Sequence, residues 1–362
     1  MDGCCAGGSG YPIGSKYMLR LLLSILALWL LPFLGFAEAL DGYLFTVQRE
    51  GEEAGSGFLL HDRGKSWLVS NRHVVEGNEK VVFVGMTDAS RTYELQERIQ
   101  VATNRDAVRF RVDEPEGFAL GGDCSFDDEV FAFGNSDGKG VVTKSAGKVI
   151  GKGRGEIEVT CEIIPGNSGG PVVNSEDKVI GLATFIIVPP NEHGTQRLSN
   201  LKMFEGTRYE ETRRFAVPLH DAKWQEVELA TFQSEAVDAA ALYGQYDQFY
   251  GMTAGVFLHY RLSEGDGEVL SRSWVRSYNR KLGKCGYRYG SGRFVVRSGK
   301  QDSLERALQG WQEDLSEAAL EVSKTLRKEA EDFTVKYYQL DLLERADDLE
   351  EVAKQLLEHA AD

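Results

Sequence analysis

Short apolar segments separated by turn residues fill the chain between residues 44 and 188, and this pattern constrains the fold most strongly. Clusters of Gly, Asn, Asp and Ser lie between the segments, and 40 of the 362 residues are glycine. Many strands at such short spacing are typical of an all-β barrel or sandwich. The predicted strands are 43–47, 57–60, 66–70, 81–84, 107–112, 130–133, 140–142, 147–150, 157–159, 179–183 and 214–218.

The spacing of the apolar residues changes after about residue 225. Residues 234–262 are rich in Ala, Leu and Tyr and contain no proline, which favours a helix. Two later segments carry apolar residues at steps of three and four, as one face of a helix requires. These residues are Leu304, Leu308, Trp311, Leu315, Ala318 and Val322 in the first segment, and Leu342, Ala346, Leu349, Ala353 and Leu356 in the second. We expect the two helices to pack as an antiparallel hairpin or to join another subunit.

The N-terminal segment has the features of a secretory signal peptide. An apolar run at 21–37 follows Lys16 and Arg20 and ends at Ala-Glu-Ala (37–39), the small-x-small pattern of a cleavage site. Pro32 and the shortness of the run make a membrane anchor the less favoured alternative. We therefore expect an exported protein, periplasmic or secreted, with a signal peptide at 1–39, a β domain at 40–228 and a helical C-terminal domain at 229–362 whose role the sequence does not indicate.

The charge distribution argues against a nucleic-acid binder. The net charge is −15, and phosphates would be repelled unless a local basic patch dominated. Residues 271–300 carry nine Lys or Arg and no acidic residue, whereas 301–362 carry 17 acidic and 7 basic residues. The basic stretch could bind single-stranded nucleic acid or a phospholipid surface. We favour docking onto the adjacent acidic helices, because the balancing charge lies there.

Five cysteines are too few for a fold built on disulfides. Cys124 and Cys161 fall in the same predicted domain and are the more plausible pair if a disulfide forms. Buried free thiols are an equally reasonable interpretation.

The segment at 165–171 reads PGNSGGP and holds the best candidate nucleophile, Ser168. Glycines on both sides leave its hydroxyl accessible and leave room for backbone N–H groups to point at one spot. The N–H groups of Gly166 and Ser168 could stabilise the negative charge of a tetrahedral intermediate. A strand rather than a helix follows, which argues against the α/β-hydrolase elbow that a G-x-S-x-G pattern also fits.

A serine nucleophile needs a general base to remove its proton, and an imidazole base needs a carboxylate to orient it. His73 lies at the end of an apolar strand, whereas the other five histidines lie in polar or helical surroundings. Asp106 begins the segment 106–112, in which every second residue is apolar and faces inward. Asp106 falls on the same inward side as these apolar residues. A carboxylate on an apolar face requires a partner, and His73 is the expected one. Asp88, Asp113 and Asp123 are alternatives in turn-like surroundings.

These segments together resemble the trypsin-like serine proteases, and within them the HtrA (DegP/DegQ) branch. The matching segments are 55–58 (GSGF), 69–75 (VSNRHVV), 106–112 (DAVRFRV), 133–135 (FGN), 165–171 (PGNSGGP), 179–181 (VIG) and 215–218 (FAVP). The resemblance implies two six-stranded β-barrels, with His73, Asp106 and Ser168 as a catalytic triad in the cleft between them. No PDZ-like segment is recognisable in 226–362.

The resemblance also implies where a substrate binds. Thr184, Phe185 and Ile186 would form one wall of the pocket for the residue before the scissile bond, and the branched Ile186 would favour small aliphatic residues. Glu162 on the other wall would instead attract Lys or Arg if it pointed into the pocket. An outward-pointing Glu162 is the preferred interpretation, because an unpaired buried carboxylate is costly.

The sequence therefore predicts an exported serine endopeptidase that needs neither a cofactor nor a metal. Its partners would be protein or peptide substrates, including misfolded or exported proteins, with no nucleic acid. The C-terminal helices would support a homo-oligomer or bind a partner protein, and we expect them to be separable from catalysis. The alternative is a protease-fold scaffold or binding module whose helical domain mediates protein interactions.

Overall fold

The computed structural model describes residues 40–153, 155–187, 212–259, 280, 289–290, 293–294 and 301–361. The predicted signal peptide at 1–39 lies outside the described residues, as does most of the basic stretch at 271–300.

The first β-sheet has nine strands. They are β1 (Leu44–Arg49), β2 (Glu52–Asp62), β3 (Lys65–Ser70), β4 (Val81–Gly85), β5 (Thr92–Glu94), β6 (Arg98–Ala102), β7 (Val108–Val112), β8 (Phe118–Ala119) and β15 (Trp224–Glu228). Their order is β15-β6-β7-β3-β2-β1-β4-β5, and β8 pairs in parallel with β2.

The second sheet closes into a six-stranded barrel. Its strands are β9 (Glu129–Asn135), β10 (Val142–Lys152), β11 (Ile157–Val159), β12 (Pro171–Asn174), β13 (Val179–Ile187) and β14 (Arg213–Pro218). The segments predicted at 140–142 and 147–150 are joined in the single strand β10. A separate two-stranded hairpin consists of β16 (Tyr289–Gly290) and β17 (Arg293–Phe294).

The prediction of two six-stranded barrels is therefore right for the second sheet and wrong for the first. In the described residues, no pairing joins the edge strands β5 and β15. Strand β15 follows the last strand of the barrel and extends the first sheet by pairing with β6. Helices cover apolar side chains of this sheet, so burial does not require that the sheet close on itself.

Local sequence explains the first two hairpins. Glu50 and Gly51 connect β1 to β2, and both have positive φ angles, 49° and 86°. Arg63 and Gly64 connect β2 to β3 in the same way, with φ angles of 52° and 71°. Two central residues with positive φ match the right-handed twist of the flanking strands. The hairpins fix the register that carries β3 toward the candidate site.

A short 3-10 helix spans Ser136–Gly138, and four α-helices have described bounds. They are α1 (Arg72–Val75), α2 (Leu229–His259), α3 (Gln301–Ala330) and α4 (Lys336–Ala361). Helices α3 and α4 form the predicted antiparallel hairpin: Ser316 Oγ donates to the carbonyl oxygen of Ala353 at 3.0 Å, and Ser323 Oγ donates to Glu350 at 2.9 Å. Within the described part of the chain, no helix combines the length and apolarity needed to cross a bilayer.

The apolar core continues across the predicted boundary at residue 228. Phe83 and Phe110 of the first sheet belong to one cluster of buried side chains with Phe232 of α2, Leu315 of α3 and Tyr338 of α4. The helices therefore bury their apolar faces on the sheet as well as on one another.

The loop between α3 and α4 is hydrogen-bonded to helix α2 and to strand β15. Both carboxylate oxygens of Glu235 on α2 accept hydrogen bonds from the backbone N–H groups of Thr334 and Val335, each at 2.8 Å. Gln225 of β15 accepts from the backbone N–H of Lys336 at 2.8 Å. Acceptors at this position satisfy N–H groups that a helix N-terminus leaves unpaired. The start of α4 is thus held at a defined place.

Cys124 and Cys161 are both buried free thiols, so the suggested disulfide between them is not formed. Both pack among the apolar side chains of the second barrel. Burial raises the pKa of both thiols, with the largest contribution from desolvation. They behave as small core residues.

Candidate active site

His73 lies in the one-turn helix α1, directly after strand β3. Val74 and Val75 in the same turn are buried and anchor it to the core. The imidazole faces the other way, and 41% of its surface is exposed. Because Val74 and Val75 are packed into the core, the same helical turn directs the imidazole of His73 away from it.

Asp106 lies in the turn before β7 and not within that strand, which begins at Val108. The predicted alternation holds for Val108, Phe110 and Val112, which are all buried. Asn71 fixes the turn, because its side-chain amide donates to the carbonyl oxygen of Asp106 at 2.7 Å.

His73 and Asp106 come together as predicted. Nδ1 of His73 lies 2.5 Å from Oδ2 of Asp106, and the backbone N–H of His73 donates to Oδ1 at 3.1 Å. Burial alone would raise the pKa of Asp106. The hydrogen bond from His73 and the positive charge of Arg72 outweigh burial, so this pKa lies below its ordinary value. An ionised Asp106 can orient the imidazole and stabilise its cation.

Two glycines in the loop that carries Ser168 have positive φ angles. Gly166 has a φ of 96°, and a Cβ there would lie 2.0 Å from the carbonyl oxygen of Asn135. Gly169 has a φ of 86°, and a Cβ there would lie 2.2 Å from the carbonyl oxygen of Ser56. Any larger residue would displace the loop.

Ser56 holds this loop from the opposite sheet, a role that the sequence did not reveal. Its backbone N–H donates to the carbonyl oxygen of Ser168 at 2.8 Å, and its hydroxyl donates to the carbonyl oxygen of Gly166 at 2.7 Å. In the sequence, the segment GSGF at 55–58 drew attention to Ser56 only because it matches the family resemblance. Two anchored carbonyls restrict the direction of the neighbouring N–H groups.

The N–H groups of Gly166 and Ser168 are available to a ligand. Among the described residues, neither donates a hydrogen bond within the protein. The hydroxyl of Ser168 donates to the carbonyl oxygen of Thr184 at 3.1 Å. No hydrogen bond joins Ser168 to His73 among the described contacts, so the predicted nucleophile and base are not paired directly in this structure.

The predicted substrate-binding segment is described only in part. Thr184 is buried in β13, where its Oγ1 accepts a hydrogen bond from Asn71 at 3.1 Å. The backbone of Phe185 pairs with that of Phe215. The side chains of Phe185 and Ile186 lie outside the described residues. Glu162 is exposed, in agreement with the outward-pointing interpretation.

Helix α4 forms a wall of the cleft, which sequence reasoning missed. The cavity beside His73 and Asp106 has a volume of about 780 Å³. From α4 it is lined by Tyr337, Leu340, Asp341 and Glu344. No local signal could have found these residues, because they are far from the triad in sequence.

The closed barrel, the His–Asp pair and the glycine-flanked serine lie in a region that is similar to trypsin-like peptidase domains. Residues 55–182 match the family model described as "Trypsin-like peptidase domain". The predicted resemblance to the trypsin-like serine proteases of the HtrA branch is confirmed for this domain.

Named relatives come from the same branch. The chain is 31% identical over 151 residues to "Probable periplasmic serine endoprotease DegP-like" from Rickettsia prowazekii, an alignment that covers 37% of this chain and 28% of the relative. It is 28% identical over 177 residues to "Serine protease Do-like HtrA" from Bacillus subtilis, covering 43% and 39%. The chain thus spans well under half of the length of these relatives.

Among solved structures, the serine endoprotease from Yersinia pestis is similar, with 20% identity and a TM-score of 0.35. The match covers 49% of this chain and 59% of that one.

Proposed function

We propose that this protein is an exported serine endopeptidase that hydrolyses peptide bonds through Ser168, His73 and Asp106. The observation that carries the proposal is the 2.5 Å contact between His73 Nδ1 and Asp106 Oδ2, in a chain whose glycine-flanked serine loop has two N–H groups without a partner among the described residues. Such a pair supplies a general base of defined tautomer. The relatives named as serine proteases support the same reaction.

The mechanism follows from these groups. Ser168 Oγ attacks the peptide carbonyl while Nε2 of His73 removes its proton. The negative charge that develops on the carbonyl oxygen is held by the N–H groups of Gly166 and Ser168. His73 then protonates the leaving amine, and a water repeats the sequence on the acyl-enzyme. Asp106 keeps the imidazole oriented throughout.

The substrate is a polypeptide in an extended conformation, which can pair with the strand edge at Thr184–Ile186. Misfolded or exported proteins are the substrates proposed, in keeping with the periplasmic relative. We also propose a preference for small aliphatic residues before the scissile bond. The exposure of Glu162, the carboxylate predicted for one wall of that pocket, supports this preference.

A scaffold or binding module is the second candidate function. It is favoured by one observation: the hydroxyl of Ser168 is directed to Thr184 and not to His73. In that orientation the serine is not activated. The helical region would then carry the biological role by binding a partner protein or a second copy of the chain.

Labelling with a fluorophosphonate separates the two functions, because the probe reacts only with activated serines. We expect Ser168 of the wild-type protein to label and the Ser168→Ala variant to be unlabelled and at least about 10⁴-fold slower in casein hydrolysis. Ser125→Ala, an exposed serine in a loop, is the matched control and should label as the wild type does. A folded wild-type protein that fails to label would support the scaffold instead.

A further inference from the structure

Arg72 precedes His73 directly and is buried, with only 7% of its surface exposed. Its Nε lies 3.7 Å from Oδ1 of Asp106, a distance that makes an ion pair but not a hydrogen bond. On its other side it forms an ion pair with Glu76. The reaction described above does not use this charge, so its burial requires another explanation.

Two aromatic rings of α4 enclose the same guanidinium group. Its central carbon lies 3.9 Å from the ring centre of Tyr337 and 5.3 Å from that of Tyr338. A cation against an aromatic face is attracted by the ring, and more strongly when water is excluded. Arg72 is therefore held between the carboxylate of the candidate triad and the C-terminal helical hairpin.

Tyr338 is itself firmly fixed. It is fully buried, and its hydroxyl donates to Glu76 Oε1 at 2.7 Å. Its ring stacks on Phe232 of α2 at 6.1 Å and meets Phe333 edge-on at 6.0 Å. These contacts tie the position of Arg72 to the packing of α2 and α4, not only to the β-sheet.

Removing a charge from water is costly and is compensated only by well-placed partners. The partners of Arg72 are the carboxylates of Asp106 and Glu76 and the two tyrosine rings of α4. Arg72 Nε approaches Oδ1 of Asp106, whereas Nδ1 of His73 contacts Oδ2, so each carboxylate oxygen has a partner. A carboxylate held at both oxygens has less freedom to turn away from the imidazole.

We propose that Arg72 is a positioning residue that holds Asp106 in place for His73, and that helix α4 holds Arg72, so the helical hairpin is part of the active site. This inference rests on the proposed peptidase function. It assigns the C-terminal region a role in setting the rate of the reaction, beyond covering the sheet.

The charged and titratable groups around the pair determine how it responds to pH. Asp106 faces His73 and Arg72. Arg72 faces Glu76, Tyr337 and Tyr338, and Tyr243 of α2 also acts on its charge. Without the positive charge of Arg72, the Asp106–His73 pair would bind its proton more tightly. The acid limb of the rate profile would then move to higher pH.

The Arg72→Met variant tests this directly, because it keeps a flexible unbranched side chain and removes the charge. We expect kcat for a peptide substrate to fall about 10- to 100-fold, with KM changed by less than about threefold. In the plot of kcat against pH, the midpoint of the acid limb should move to higher pH by about half a unit. Arg72→Lys, which keeps the charge, should return the acid limb to its wild-type position.

Arg327→Met is the matched control. Arg327 pairs with Asp347 and Glu350 on the exposed side of the α3–α4 hairpin, away from the cleft. The same chemical change there should leave kcat and the acid limb unaltered. A folded Arg72→Met protein with wild-type kcat, or one with reduced kcat and an unmoved acid limb, would overturn the proposal.

Tyr337→Leu provides a second test in case Arg72→Met does not fold. It removes the nearer aromatic face without removing a charge, and we expect kcat to fall with KM preserved. Unchanged kcat in a folded Tyr337→Leu protein would refute the role of α4.

An NMR measurement separates this proposal from the peptidase function, because it does not depend on turnover. The NMR resonance of the Nδ1 proton of His73, assigned by its loss in His73→Gln, should change at a higher pH in Arg72→Met than in the wild type, because it reports the proton that the imidazole gains and loses at Nε2. A shift in a protein that never hydrolyses peptides would support positioning while the peptidase function failed. No shift in an active protein would refute positioning alone.

Discussion

The hydroxyl of Ser168 donates its proton to the carbonyl oxygen of Thr184, 3.1 Å away, and not to the imidazole of His73. Rotation about the Cα–Cβ bond of Ser168 is sufficient to turn the hydroxyl elsewhere, because the glycines around it leave space. Hydrogen bonds between catalytic groups are often incomplete before substrate binds. We expect a bound substrate to favour the rotamer that faces His73.

The Asp106→Asn variant should lose most of its activity while remaining folded. An amide cannot hold the same imidazole tautomer, and in other triads this change lowers kcat about 10⁴-fold. Steady-state peptide hydrolysis measures the effect. Asp123→Asn, which alters an exposed carboxylate paired with Lys152, is the control and should retain full activity. Equal activity in Asp106→Asn and the wild type would remove Asp106 from the mechanism.

Acid should weaken the contribution of Asp106 to stability. Its pKa is lower in the folded protein than the ordinary value of about 3.9, so the folded state favours the ionised form. The stabilisation is complete above the unfolded pKa and disappears as the pH falls through the lowered folded pKa.

Urea unfolding of the wild type and Asp106→Asn between pH 3 and 7 measures this contribution. The difference in unfolding free energy should be constant above about pH 5 and shrink below about pH 4. A difference that did not depend on pH would show that the charge of Asp106 is not stabilised by folding.

Replacing Gly166 by Ala should damage catalysis more than folding. The new Cβ would meet the carbonyl oxygen of Asn135 at 2.0 Å, and the φ of 96° is unfavourable for alanine. The loop must shift and carry the N–H groups away from the developing oxyanion, with an expected fall in kcat of about 10²- to 10³-fold. Gly122→Ala is the control, because a Cβ there meets nothing within 4 Å. Normal kcat in Gly166→Ala would exclude this oxyanion site.

A chain that ends at Glu228 should fail to fold as a soluble, reactive protease. The truncation removes Phe232 and Tyr338, which share one buried core with sheet residues such as Phe83 and Phe110, and leaves that core incomplete. This expectation replaces the sequence-based one, in which the helices were separable from catalysis. Circular dichroism and fluorophosphonate labelling of the truncated chain provide the measurement. A soluble truncated chain that labels at the wild-type rate would instead support the expectation that the helices are separable from catalysis.

Features with a local physical cause could be predicted from the sequence. The alternation of Val108, Phe110 and Val112 indicated a strand, and the spacing of Leu342, Ala346 and Leu349 indicated a helix, because side-chain direction repeats with a fixed period. The glycine-flanked Ser168 indicated a nucleophile loop, and the buried phase near Asp106 indicated a partner for His73. Each of these inferences depends on a few neighbouring residues.

Only the tertiary structure decided features that depend on residues distant in the chain. Glu76 and Tyr338 are 262 positions apart, yet their hydrogen bond helps to place Arg72 beside Asp106. The open first sheet, the reduced state of Cys124 and Cys161 and the wall that α4 adds to the cleft belong to the same group. Periodicity specifies which face of an element is apolar but not which other face covers it. That choice is made by packing, through the shape and charge of surfaces that meet only when the chain is folded.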